Sequence, residues 1–157
     1  MRNNNNDANL MPFRILLVDD DKGDRFFFKN ALSELSISIQ FRNVDGEELM
    51  DHLSKNSHEL PDVIFLDLNM PCKNGFECLT EIKLSKKFQH IPVIVYSASF
   101  DEMVADELYK NGAHYYIQKT NFVELKKILQ YVLTIMQEKR SSLPPRNKFM
   151  LNITSQV

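Results

Sequence analysis

The chain is poor in cysteine, in glycine and in net charge. Only Cys72 and Cys78 stand among its 157 residues. No further cysteine or nearby histidine completes a zinc set, and a disulfide framework would need more, so both read as reduced, non-catalytic thiols. Lys+Arg total 19 and Asp+Glu 21, a formal charge of -2. That balance offers no basic excess for nucleic acid or an anionic membrane. No apolar run approaches the roughly 18 residues of a membrane helix. The Asn-rich start, Met1 to Leu10, lacks the apolar core of a signal peptide, so the expected compartment is the cytoplasm. What is present is ordinary for a globular chain. Hydrophobic residues make up 43% and charged residues 25%, and the length suits one domain.

The few glycines and prolines fall between periodic segments and mark element boundaries. Five short apolar runs read as strands: Phe13 to Val18, Ile37 to Phe41, Val63 to Leu66, Ile91 to Tyr96 and Tyr115 to Ile117. Runs rich in Val and Ile without alternation suit strands buried on both faces of a parallel sheet. Ile37 to Phe41 alternates and suits an edge. Helical stripes fill the gaps. The clearest is Leu125, Ile128, Leu129, Val132, Leu133 and Met136, with Asn121 as its N-cap. The order is strand then helix, five times. Right-handed crossovers then predict an α/β fold: an open, doubly wound, five-stranded parallel sheet. Residues 1–12 and 139–157 are expected to be flexible ends around a domain over 13–138. The Ser141 to Pro145 segment would break a helix.

In such a sheet, ligands bind beyond the carboxyl ends of the strands. Asp19, Asp20, Asp21 and Asp24 follow the first strand, Asp67 and Asn69 the third, Ser97 and Ser99 the fourth, and Lys119 the fifth. All lie on one edge, whatever the strand order. Any one of them alone would be a solvated turn or a helix cap. Together they define a site. Two carboxylates about 4 Å apart repel by about 4 kcal/mol at an effective dielectric near 20, so a proton or a cation is required. All-oxygen ligands favour Mg²⁺, with Mn²⁺ as the alternative. Asp67, at the tip of its strand, is the candidate nucleophile for an acyl phosphate. Lys119 and Ser97 are placed to contact phosphoryl oxygens.

Ile15 to Asp20, Asp67-Leu68-Asn69-Met70-Pro71 with Gly75, Ser97-Ala98 and Lys119, in that order, resemble the receiver domain of two-component response regulators. The likeness covers about Phe13 to Met136. It is nearest to single-domain, chemotaxis-like regulators and the short ones associated with phytochromes. The resemblance implies a flavodoxin-like (βα)5 fold with strand order 2-1-3-4-5. It implies that Asp67 accepts a phosphoryl group from a sensor histidine kinase or histidine phosphotransfer protein. Asp20, Asp67 and the Asn69 backbone carbonyl would bind the metal, and Asp19 would reach it through water. Tyr116 falls at the family's switch aromatic, which turns inward when the Ser97 hydroxyl moves toward phosphate. One departure stands out. The family usually has a cis Lys-Pro after the fifth strand, and here it is Lys119-Thr120. A cis non-proline bond costs about 3–4 kcal/mol, so the loop is either strained or trans, and the aim of Lys119 is left open.

The expected function is a stand-alone phosphorylation switch read by a downstream target protein, not an enzyme. Pairing of two copies through the fourth and fifth helices and strands is left open. Neither nucleic acid nor membrane is expected as a partner. Three rivals are weaker. A phosphohydrolase would want an acid where Asn69 stands. A pseudo-receiver would lack part of the site. A flavin carrier would want a hydroxyl-rich phosphate loop where the first strand is followed by acid.

Overall fold

In the computed structural model, residues 11–139 and 142–152 are described. The elements are β1 (Phe13–Val18), α1 (Lys22–Ser33), β2 (Ile39–Val44), α2 (Leu49–Lys55), β3 (Val63–Leu66), α3 (Gly75–Leu84), β4 (Val93–Ser97), α4 (Glu102–Lys110), β5 (Tyr115–Gln118) and α5 (Phe122–Lys139). A 3-10 turn (Arg146–Lys148) and a two-residue strand, β6 (Met150–Leu151), follow. All strand pairs are parallel, in the order β2-β1-β3-β4-β5-β6. The five expected strands thus take the expected order, with β2 at the edge. Its run is shifted toward Val44, because pairing with β1 extends from Phe13 through Val18 and carries β2 with it.

A short sixth strand lies within the stretch 139–157 expected to be a flexible end. Residues 142–152 are placed against β5, with Tyr116 paired to Met150 and Ile117 to Leu151. Two residues carry no period, so the pairing has no signature in the sequence. Residues 1–10 and 153–157, parts of the two expected flexible ends, lie outside the described residues.

Alternate residues of each strand face opposite layers. Leu16, Val18, Ile64, Leu66, Val93, Val95 and Tyr116 pack with α2, α3 and α4 residues such as Leu53, Leu79 and Leu108. Ile15, Leu17, Val63, Phe65, Ile94, Tyr96 and Ile117 pack with the α1 and α5 stripes, including Phe28, Leu125, Leu129 and Val132. This two-sided burial is why β1, β3 and β4 read as unbroken apolar runs. Helix starts follow local chemistry. Asp21 caps α1 by accepting from the Asp24 amide, Asn74 caps α3 and Asp101 caps α4. The Asn121 side chain accepts from the Glu124 amide, the cap expected for α5.

One glycine is fixed by proximity to the site. A Cβ on Gly75 would stand 2.4 Å from the Asp67 carbonyl oxygen and 2.7 Å from Leu68 Cα. The start of α3 therefore lies directly against the strand end that carries Asp67, and the Gly75 amide donates to the Leu68 carbonyl at 3.0 Å.

Candidate phosphoacceptor site

The site sits where β1, β3, β4 and β5 end. Parallel pairing aligns those ends, since Val18 is level with Leu66, Leu66 with Val95, and Ser97 with Gln118. Backbone bonds continue the alignment past the strands. The Asp67 amide donates to the Val18 carbonyl at 3.0 Å and the Lys119 amide to the Ser97 carbonyl at 2.8 Å. Residues from four separate stretches of chain are thus held at one rim.

Asp19 and Asp67 are buried there, whereas Asp20 is exposed at the mouth. One carboxylate oxygen from each of the three lies within 4.8 Å of the others. Lys119 reaches in from the β5 loop. Its Nζ donates to Asp19 Oδ2 at 3.0 Å and to Asp24 Oδ2 at 2.7 Å, and stands 3.5 Å from Asp67 Oδ2. Among the described residues no peptide bond is cis. Lys119-Thr120 is therefore trans, and the lysine still points into the acidic cluster. Asp24 is a partner of Lys119 that its sequence position left undistinguished from a helix-turn acid. The Asp21 side chain is exposed and caps α1 through the Asp24 amide, while its own amide donates to Asp19 Oδ1 at 3.0 Å.

The electrostatics follow from burial. Desolvation raises Asp67 to about 6, with the Asp19 charge adding to the shift, while Lys119 and the Asn69 amide pull the other way. Asp67 is therefore mainly ionised at neutral pH. Burial also raises Asp19, against the Asp21 amide and Lys119. For Lys119, burial favours the neutral amine, but the bond to Asp24 and the charges of Asp19 and Asp67 outweigh it and hold the ammonium firmly protonated.

Asn69 donates its backbone N–H to Asp67 Oδ1 at 3.2 Å and its side-chain amide to Ser97 Oγ at 3.4 Å. Ser97 is fully buried, and its hydroxyl is 3.1 Å from that of Ser99. Tyr116 is fully buried too. Its hydroxyl donates to the Ser99 carbonyl at 2.8 Å and accepts from the Asp101 amide at 3.3 Å. Every residue named from the sequence is thus at or beside one rim. Asp19, Asp20 and Asp67 are mutual neighbours, Lys119 contacts Asp19 and Asp67, Asn69 and Ser97 border them, and Tyr116 connects through Ser99.

The donor set fits a hard divalent cation. Asp19, Asp24 and Asp67 share one lysine, and Asp20 adds a carboxylate beside them. Arg25 spends its Nε on the Asp19 backbone carbonyl rather than on a carboxylate. The surplus charge and the all-oxygen ligands suit Mg²⁺ or Mn²⁺ rather than a thiolate- or imidazole-seeking metal. Neither cysteine takes part. Both are free, Cys72 exposed and Cys78 buried.

Comparison with known proteins gives the family. Residues 15–132 match the response regulator receiver domain. The response regulator Rcp1 of Synechocystis is 33% identical over 125 residues, covering 76% of this chain and 85% of that protein. The crystal structure of the phosphorylated cyanobacterial phytochrome response regulator RcpA is 32% identical with a TM-score of 0.73, covering 86% of this chain and 100% of that one. The Mn(2+)-bound form of Rcp1 is 31% identical with a TM-score of 0.70, covering 85% of this chain and 100% of that one. With the matched residues spanning β1 to α5 and the acidic rim in place, this chain belongs to the response regulator receiver domain family.

Proposed function

We propose that the protein is a phosphorylation switch in which Asp67 accepts a phosphoryl group from a phosphohistidine on a sensor kinase or histidine phosphotransfer protein. The observation that carries this reading is the placement of Asp67. Its carboxylate is buried at a strand tip, with Lys119 Nζ 3.5 Å from Oδ2 and oxygens of Asp19 and Asp20 within 4.8 Å.

A divalent cation, Mg²⁺ or Mn²⁺, would be held by Asp20 and Asp67, with Asp19 reaching it through water and the Asn69 carbonyl as the ligand the family resemblance adds. When bound, it supplies positive charge to phosphoryl oxygens. The remaining work falls to the chain. An Asp67 carboxylate oxygen attacks phosphorus, an O–P bond forms, and the P–N bond breaks with its electron pair returning to the imidazole. The Lys119 ammonium offsets charge on the equatorial oxygens. The Ser97 hydroxyl, already near the Asn69 amide, donates to one of them. The resulting change around Ser97, Ser99 and Tyr116 is what a downstream protein would read, in the cytoplasm where kinases of this kind present their phosphohistidine.

This role is that of a switch and not of a turnover enzyme. A phosphohydrolase using Asp67 would need a general acid two residues on, and Asn69 is an amide engaged with Ser97. Incubation with acetyl phosphate and Mg²⁺ should label the wild-type protein, and Asp67→Ala should abolish that labelling by phosphate-affinity electrophoresis. Undiminished labelling of the variant would refute the assignment.

A further inference from the structure

At the amino end of β1, on the rim opposite the acidic cluster, the charge imbalance has the reverse sign. Parallel pairing sets Arg14 of β1 beside Gln40 of β2, and Leu16 beside Arg42. Side chains alternate along a strand, so Arg14 and Arg42 stand on one face. They are diagonal neighbours about 8 Å apart at Cα, within reach of one another's long side chains. It is the face on which Leu16 packs with Leu53 of α2. His52 and Asn56 of α2, with Glu59 just beyond it, join Arg14, Gln40 and Arg42 around a cavity of about 20 Å³.

The acids nearby do not neutralise the two arginines. Among the described residues no ion pair involves Arg14 or Arg42. The Arg14 Nε is sealed from solvent and donates to no protein acceptor among them. Asp62 accepts the Arg14 amide at 2.8 Å but lies outside the cavity lining. Asp51 acts on His52 but is paired with Lys55 at 2.9 Å, and Glu48 accepts the Asp45 amide at 3.0 Å. Burial and then the Arg42 charge lower His52 below its ordinary value, so it is neutral at pH 7. Glu59 is the one carboxylate in the lining. The lining therefore carries one positive charge in excess.

We propose that this cavity binds one small monovalent anion, chloride or an ion of its size, held between Arg14 and Arg42. Three observations set the class. Guanidinium groups donate and never accept, so the ligand must accept. The single excess charge asks for a monovalent ion. The volume exceeds the roughly 10–15 Å³ that one water needs, which admits a monatomic ion and excludes phosphate or a carboxylate. A water molecule would satisfy the Arg14 Nε but leave the charge unbalanced, and an unpaired charge out of contact with solvent is costly. Two neutral donors are at hand. Gln40 lines the cavity, and the Asn56 side-chain amide gives one N–H to the His52 carbonyl at 2.8 Å and retains a second. The site is remote from Asp67 and independent of its role.

The test uses the full chain and two readouts. In chloride NMR, the wild-type protein should broaden the chloride signal, and bromide should reverse the broadening. Gluconate at equal ionic strength, too large for the cavity, should not. Arg14→Gln and Arg42→Gln should each weaken binding by about tenfold or more, the worth of one charge-assisted hydrogen bond. Glu59→Gln removes the one opposing charge in the lining and should tighten binding about fivefold. Arg42 is exposed, so its variant keeps the fold, and circular dichroism checks this. By calorimetry, replacing gluconate with chloride should raise the wild-type midpoint by about 3–6 °C at ten times the dissociation constant, and leave Arg42→Gln unmoved. No broadening by the wild type, with equal midpoints in the two salts, would mean that the cavity holds water only and would overturn the proposal. Undiminished broadening by both arginine variants would place the ion elsewhere and overturn it too. Displacement of chloride by phosphate as readily as by bromide would refute the size limit. Asp67→Ala should bind chloride as the wild type does, so failure of the acceptor reading leaves this site intact.

Discussion

An ionisable lysine is half-buried near each end of the sheet, and the two are treated in opposite ways. At the carboxyl end, Lys119 lies among Asp19, Asp24 and Asp67, and its charge is held. At the amino end, Lys83 at the close of α3 donates, among the described residues, to the backbone carbonyls of Gln89 at 3.1 Å and Ile91 at 2.9 Å. Burial lowers it to about 8. Its neighbour His114 is buried, with no hydrogen-bond partner for either ring nitrogen among the described residues, and burial followed by the Lys83 charge lowers it to about 4. Desolvation acts at both ends. What differs is whether full negative charges are present to outweigh it. Partial charges on two carbonyls do not.

That contrast can be tested by deleting each lysine charge in turn. The largest effect is expected from Lys119→Met in chelator-treated protein. It leaves the buried carboxylates of Asp19 and Asp67 without their cation, which should destabilise the fold by about 4 kcal/mol. In a chain of this size that is roughly 8–16 °C in thermal midpoint, read by calorimetry. A midpoint near wild type would mean the acids are neutral in the absence of metal.

The amino end should instead show itself through pH. Unfolded, His114 takes a proton below its ordinary value of 6.5, whereas folded it does so only near 4. Between those values the unfolded chain binds more protons, so stability falls as the pH is lowered through the window. It is unaffected above the window, and the loss levels off below it. The loss attributable to His114 is about 3 kcal/mol at most. Urea titrations across this range, with His114→Phe as the reference, isolate it. A variant whose stability shows the same slope would assign the pH dependence elsewhere.

The smallest effect belongs to Lys83→Met. It removes a desolvated charge at the cost of two carbonyl partners, and those changes nearly cancel. Stability at neutral pH should stay within about 1 kcal/mol of wild type. The variant should also move the His114 transition upward, because one of the two causes of its depression is gone. A loss comparable to that of Lys119→Met would show that the carbonyls hold Lys83 as firmly as carboxylates hold its counterpart.

Much of the site was legible before any coordinates. The runs Ile15 to Val18 and Val63 to Leu66 are apolar on both faces because both faces are covered, which marks them as inner parallel strands. Whatever follows such strands must gather at one rim, so Asp19, Asp20, Asp67, Ser97 and Lys119 could be grouped without knowing the strand order. Asp24 was only partly legible. It lies one helical turn into α1, and a capping or solvated role fits the sequence equally well until Lys119 is found 2.7 Å away. The placement of residues 142–152 was not legible at all. Met150 and Leu151 are too few to show a period, and Phe149 after a double proline looks like any apolar residue in a tail. Its burial depends on Tyr109 and Tyr116, which are dozens of residues distant in the chain and come together only after β5 has paired with β4.

Sequence alone determined the alternation of strands and helices, the edge at which the acids and the lysine collect, and the need for a proton or a cation among them. These follow from periodicity, from the parallel direction of the strands and from the repulsion of like charges, all of which are local or additive. Tertiary structure alone decided which carboxylates Lys119 bonds, that Tyr116 is enclosed, and that the segment after α5 lies over α4 and β5. Those outcomes rest on contacts between stretches far apart in the chain, whose energies depend on distance and solvent exclusion and exist only once the sheet has closed.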